Sequence, residues 1–299
     1  MDFLQNVRAT LIYFDIFEHP LTESELHRFF PEPITDSEMR INLAKHKIRS
    51  KDGYYHVRSD DWIVELRKER ERKARLMLLA SRLVGSVIGQ FPFVKAVFLS
   101  GSLSKGVNNG DADLDLFLVS KENRLWICRS IITCFKKFLL LNKKRFLCPN
   151  YILAEDHLEI PEKNIFTATE LVTLRPLYLS DGSLGSRLYA CNSWVESFYP
   201  NWKGLINMSM MPWPVGKYKA GRSPRNGYLS ALDLRLMMYY RKVWRKRYPQ
   251  FSNAQLDFLF RTTRYASKVH PNDFQTRILN EYESRLRKEN LRRLTRLDD

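Results

Sequence analysis

Phe98-Leu-Ser-Gly101-Ser102-Leu-Ser-Lys105-Gly-Val-Asn-Asn-Gly-Asp-Ala-Asp113-Leu-Asp115-Leu-Phe-Leu118 is the stretch from which the fold reads outward. Val94 to Ser100 is largely apolar and predicts a buried strand. A Gly-Ser pair closes it, a short helix or loop follows, and ten residues (103–112) separate Ser102 from Asp113. Asp113-Leu114-Asp115-Leu116 then alternates as a second strand, which puts both aspartates on one face and both leucines toward a core. Two carboxylates so close repel each other unless a cation lies between them. Mg²⁺ suits that position, since it takes oxygen ligands and shares them with substrate phosphates. Glycine at a strand end lets backbone amides come close to a phosphate, and the serine hydroxyl can donate to it.

This Gly-Ser…Asp-x-Asp pattern resembles the signature of the DNA polymerase beta-like nucleotidyltransferase superfamily. The motif covers about twenty residues and implies a catalytic domain of about a hundred. The resemblance implies that Gly101 and Ser102 hold the triphosphate of an NTP and that Asp113 and Asp115 ligate two Mg²⁺, with Mn²⁺ as a substitute. It also implies a third carboxylate on a later strand, acting as metal ligand and general base. The strand expected over 145–154 carries Asn150 there, with Glu155 and Asp156 just beyond its end. Asn150 as ligand, a displaced acid such as Glu155, and a site with no third acid are the three alternatives. Lys105, three residues after Ser102, is placed either at a phosphate or in solvent.

Around this centre the pattern predicts an α+β chain: a mixed-sheet nucleotidyltransferase core between an N-terminal winged-helix-like domain and a C-terminal helical domain. Residues 1–60 read as helix, helix, helix and hairpin, with Thr22 and Glu25 forming a capping box and Lys51-Asp52-Gly53 turning between two short strands. That order resembles a winged helix. A charged helix over 62–90 links it (61–91) to the catalytic domain (92–180). Helices are expected over 124–141, 165–178, 184–198, 228–248, 253–267 and 273–295, with an irregular Pro- and Gly-rich loop over 200–227. Residues 181–299 form the basic helical domain. Glu170, Asn192 and Trp194 are expected to pack helices more than to line a pocket, and His270 to belong to a loop and cap.

Charge narrows the partners. The 299 residues carry 49 Lys plus Arg and 33 Asp plus Glu, a formal charge of +16. Residues 1–200 hold only +3 of it and residues 201–299 hold +13. A block that basic faces a polyanion, with RNA favoured, and Arg241, Lys242 and Arg245 are the candidate phosphate contacts. Tyr240, Trp244 and Tyr248 recur at four-residue spacing and read as a core stripe. The four cysteines form no CxxC pair and read as buried thiols of a reducing, cytoplasmic compartment. No apolar run reaches the ~18 residues of a membrane span. The function expected is Mg²⁺-dependent transfer of an NMP from an NTP to an acceptor hydroxyl, on an RNA or tRNA 3′ end, a protein or a small molecule. The alternative is a nucleic-acid-binding winged-helix regulator whose transferase domain binds nucleotide but is weakly active or inactive.

Overall fold

The computed structural model describes residues 2–110, 114–139, 147–202, 227–270 and 272–291. The chain begins with α1 (Phe3–Asp15), β1 (Leu21–Thr22), α2 (Glu23–Arg28), α3 (Asp36–Lys45) and a hairpin of β2 (Ser50–Lys51) and β3 (Tyr54–Tyr55). The capping box at Thr22 is present: its hydroxyl accepts from the Glu25 amide at 3.3 Å, and Glu25 accepts from the Thr22 amide at 3.0 Å. Asp2 with Gln5 and Thr35 with Glu38 cap α1 and α3 in the same way. β1 pairs with β3 as well, so the hairpin becomes a three-stranded antiparallel sheet ordered β1-β3-β2.

A 28-residue helix, α4 (Trp62–Gly89), leads to the second sheet. Then follow β4 (Val94–Leu99), α5 (Gly101–Ser104), β5 (Asp115–Ser120), α6 (Leu125–Leu139), β6 (Cys148–Ala154), α7 (Ile165–Val172), β7 (Arg175–Leu179) and α8 (Ser183–Ala190). A 3₁₀ turn (Ser193–Ser197), α9 (Gly227–Arg247), α10 (Asn253–Phe260), β8 (Ala266–Lys268) and α11 (Phe274–Lys288) complete the chain. The sheet order is β7-β4-β5-β6-β8; β5 and β6 run parallel and the other pairs antiparallel. The protein is therefore mixed α and β, with a mixed sheet at its centre.

The helix expected over 184–198 ends at Ala190 and continues only as the 3₁₀ turn, that expected over 273–295 ends at Lys288, and two others give way to strands. The helical spacing over 165–178 stops at Val172, and Arg175–Leu179 pairs with β4 as an edge strand. That over 253–267 stops at Phe260, and Ala266–Lys268 pairs with β6. In both, sheet edges that would otherwise leave unpaired amides and carbonyls recruit the segment, which overrides its periodicity. The loop expected over 200–227 lies mostly outside the described residues. None of the four cysteines is in a disulfide, as expected, but only Cys128 is buried; Cys134 and Cys191 are exposed. Among the described residues no helix is long and apolar enough to cross a membrane.

Alternation along the central strands sorts the core into two layers. Ala96, Phe98, Phe117, Val119 and Leu153 face one side, where α1, α2, α3, α7, α8 and α11 pack in one continuous cluster. Val97, Leu116, Leu118, Ile152 and Ala154 face the other, covered by α6, α9, α10 and the end of α4. On this second side Asp233 of α9 accepts from the Trp126 and Ile127 amides at 2.8 and 2.9 Å, filling the first turn of α6. Tyr240 and Trp244 are buried there, as the core-stripe reading expects.

α4 is tied to the N-terminal segment by a buried arginine. Arg67 donates to Glu25 at 2.9 Å and to Glu71 at 2.6 Å, and also meets the His19 ring and the Pro20 carbonyl. Its guanidinium is enclosed, so removing it leaves Glu25 facing an apolar surround without its cation. Arg67→Met is expected to cost about 3–5 kcal/mol, read as a drop in the urea midpoint, whereas Arg72→Met on the open face of α4 should cost under about 0.5 kcal/mol.

Candidate functional site

β4 ends at Leu99 and the backbone swings through Ser100 into Gly101, whose φ is +69°. This is the left-handed region that glycine alone enters without strain. Space demands glycine as well: a Cβ built there would collide with the Asp115 carboxylate. Asp115 stands at the head of β5, one residue after the buried Leu114, and its side chain points to the α1/α7 side as Phe117 and Val119 do. The Ser100 amide donates to the Asp115 carbonyl at 2.9 Å, which holds the two strand ends together.

Asn150 joins them from β6. The parallel register pairs Leu116 with Pro149 and Phe117 with Tyr151, so one residue is skipped at Asn150. This irregularity aims the amide at β5, where Nδ2 donates to Asp115 Oδ1 at 2.6 Å. The fourth group is Glu170 of α7. Its Oε2 accepts the Gly101 amide at 3.2 Å, and its Oε1 meets Lys105 Nζ at 2.7 Å. Burial acts to raise the Glu170 pKa; the Lys105 ammonium and the Gly101 amide outweigh it and leave the carboxyl below its ordinary value. The side chain lies deep in the protein yet keeps 31% of its surface open, and that opening faces a cavity.

The cavity holds about 350 Å³. Gly101, Ser102, Lys105, Asp115, Asn150 and Glu170 line one part of it, and Tyr13, Phe14 and Phe17 of the N-terminal segment close over them. Two histidines also face it. Burial, with the charge of Lys268, lowers the pKa of His270 to about 4. His19 is brought to about 4 chiefly by burial, with Arg67 adding to the effect.

The structure thus brings together Gly101, Ser102, Lys105, Asp115 and Asn150. Asp113 lies outside the described residues. Glu155 does not join them. Its amide donates to the Ser120 carbonyl, at the end of β5 remote from Asp115, and its carboxylate lies 3.6 Å from Lys95. Five residues of strand separate it from Asn150, roughly 17 Å, so it cannot reach back to supply a third acid. Lys105 is neither solvated nor free but paired with Glu170. Asn192 packs, accepting the Ile160 amide and donating to the Leu158 and Leu188 carbonyls. Glu170, expected to pack helices, lines the cavity, and His270 lies in the loop before α11 as expected but lines the cavity as well. Glu170 had a signal in sequence only as an acid within an otherwise apolar helix, Ile165–Val172.

Arg241, Lys242 and Arg245 lie on α9, across the sheet from the cavity. Arg241 is held by Asp257 at 3.0 and 3.1 Å, while Lys242 and Arg245 are exposed. Among the described residues these three cations lie on the opposite face of the sheet from Asp115.

Two outcomes test this geometry. Gly101→Ala should lower stability by about 1–2 kcal/mol through the positive φ, and should also shift Asp115, read as loss of any ligand affinity at the cavity. Stability should also depend on pH. Unfolded, His19 and His270 take a proton near 6.5; folded, only near 4. Between those values the unfolded chain binds more protons, so stability falls as pH drops from about 6.5 to 4, by up to about 1.4 kcal/mol per unit for each histidine. Urea midpoints at pH 7, 5.5 and 4.5 read this, and His270→Gln should flatten the slope. In comparison with known proteins, the chain matches no family model, no curated protein and no solved structure.

Proposed function

We propose that the protein is a metal-dependent nucleotidyltransferase. The observation that carries this reading is the close approach of a positive-φ glycine and an aspartate carboxylate on the wall of an enclosed cavity, with a serine and a lysine in the same turn. Such a turn offers backbone amides and a hydroxyl to phosphate oxygens, and the carboxylate offers oxygen to a hard cation. The donor chemistry fits Mg²⁺ at Asp115, which supplies a carboxylate, and Asp113 would add a second; Asn150 turns its Nδ2 to Asp115 and accepts from Cys148 Sγ at 3.0 Å, so its amide would have to flip to offer an oxygen. The bound cation would neutralise phosphate charge and lower the pKa of a coordinated hydroxyl.

In the reaction an acceptor hydroxyl attacks the α-phosphorus of an NTP, and the bond to the bridging oxygen breaks to release pyrophosphate. Asp115 would hold the cation. Gly101 and Ser102 position the phosphates, and Lys105 neutralises them. Glu170 occupies the Gly101 amide in the ligand-free protein, so phosphate binding requires it to yield that amide while keeping Lys105. Asn150 cannot accept a proton, which leaves Asp113 or Glu170 for that step. The N-terminal helices and three-stranded sheet are taken as a winged-helix-like unit of residues 1–60, and the acceptor as RNA, a protein or a small molecule.

The second reading is a nucleic-acid-binding regulator that binds nucleotide without transferring it. Asn150 in place of an acid, with Glu155 remote, favours it. The exposed Lys242 and Arg245 would then contact phosphates directly.

Incubating the protein with α-labelled NTPs, Mg²⁺ and a whole-cell extract separates the two. Transfer should label one class of acceptor, and Asp115→Ala should reduce labelling at least about a hundred-fold. No label on RNA, protein or small molecules would overturn the first reading. Under the second, nucleic-acid binding should weaken steeply with salt, survive Asp115→Ala, and lose slope in the double variant Lys242→Ala, Arg245→Ala.

A further inference from the structure

A second polar group in the cavity has no part in the chemistry above. Glu162, in the loop before α7, has a side chain only 8% exposed. Its Oε1 lies 3.1 Å from Arg261 Nη2 and accepts from Lys268 Nζ at 3.4 Å. Its Oε2 is fully enclosed and has no hydrogen-bond partner among the described residues. The same holds for the hydroxyl of Tyr151, next to Asn150 on β6. Lys268 also donates to Gln275 Oε1 at 3.2 Å. Tyr151, Glu162, Lys268 and Gln275 all line the same cavity as Gly101 and Asp115.

An enclosed carboxylate oxygen and an enclosed hydroxyl without partners each cost about 1–3 kcal/mol. Two in one cavity wall mark groups that a ligand satisfies. The ligand must bring an N–H or O–H to Glu162 Oε2 and, beside it, an acceptor for Lys268. A phosphate is repelled by Glu162, and an aliphatic ammonium by Lys268. The surrounding walls are aromatic: Tyr151 stacks on Phe117 with centroids 5.6 Å apart, and Phe166 meets Phe274 at 5.9 Å. Flat rings fit such walls better than a sugar does.

We propose that Glu162, Lys268 and Tyr151 form a nucleobase subsite, in which Glu162 turns its enclosed Oε2 into the cavity to take an N–H of the base edge and Lys268 donates to the adjacent acceptor. Each base presents a donor next to an acceptor on its pairing edge, so the subsite selects a base by the position of that pair. The inference rests on the proposed nucleotide reading in assigning the phosphates to Gly101 and Ser102. It adds that recognition of the base belongs to a different element, the loop before α7 together with β6 and β8.

The test is equilibrium binding to the full chain, without acceptor, of the four NTPs, the four nucleosides and inorganic triphosphate. The preferred NTP should bind at least about ten-fold more tightly than inorganic triphosphate, and its analogue lacking the donor hydrogen should lose that margin. Glu162→Gln should weaken the preferred NTP about ten-fold or more. Because Glu162 also holds Arg261 and Lys268, Tyr151→Phe provides the variant that must fold. It removes only an unpartnered hydroxyl, so it should leave the melting temperature unchanged or raised and inorganic triphosphate affinity unchanged, while weakening the preferred NTP several-fold. Equal affinity for NTPs and inorganic triphosphate, or NTP affinity indifferent to both substitutions, overturns the subsite. Nucleoside binding lost in Tyr151→Phe, with no triphosphate binding, keeps the subsite and overturns the phosphate assignment. Binding of neither overturns both.

Discussion

The strand β5 is clamped from both sides, and the cavity depends on that clamp. Leu116 and Leu118 insert into the layer under α6, α9 and α10, while Phe117 and Val119 insert into the layer under α1, α7 and α11. A strand buried on both faces cannot slip by one residue without moving every side chain to the wrong layer. Asp115, at its head, is therefore fixed with little freedom. The glycine opposite is required by its φ of +69°, and a Cβ there would also crowd the Asp115 carboxylate and force it to turn aside. Asn150 reaches the same point only because the β5–β6 register skips at that residue.

Elements with local causes were legible in the sequence. The capping box at Thr22, the Lys51-Asp52-Gly53 turn and the long helix α4 each rest on residues within a few positions of one another. β4 and β5 were legible because an apolar run meeting an Asp-x-Asp alternation admits few readings. The edge strands β7 and β8 were not. Arg175–Leu179 and Ala266–Lys268 are strands because β4 and β6 offer open edges, a fact of tertiary structure that periodicity does not carry. The site divides in the same way. Gly101, Ser102 and Asp115 announce themselves through spacing, whereas Glu162, Glu170 and His270 reach the cavity from 47, 55 and 155 residues beyond Asp115, with no motif spacing to relate them to it.

The basic C-terminal third is assigned differently once the sheet is in view. Much of it belongs to α9, whose apolar stripe of Tyr240 and Trp244 covers the face of the sheet opposite the cavity. The cations that flank the stripe therefore point away from Asp115, and one of them, Arg241, is held by Asp257. At the Asp115 end their effect on a polyanion is long-range attraction, screened within about 10 Å at ordinary salt. They do not clamp it at the reacting atoms.

The cations that line the cavity are each matched to a carboxylate, Lys105 to Glu170 and Lys268 to Glu162, and Arg67, behind His19, is matched to Glu25 in the same way. Taking such pairs out of water costs several kcal/mol per ion, and the attraction recovers that only when the remaining donors and acceptors are also satisfied. Around Arg67 they largely are, and that pair holds two parts of the fold together. Around Glu162 they are not, because one carboxylate oxygen is left enclosed beside an equally unpartnered Tyr151 hydroxyl. A pair kept solely for stability would be replaced at no loss by apolar side chains of similar volume. An incomplete one lining a cavity, with aromatic walls on either side, makes physical sense when a ligand completes it.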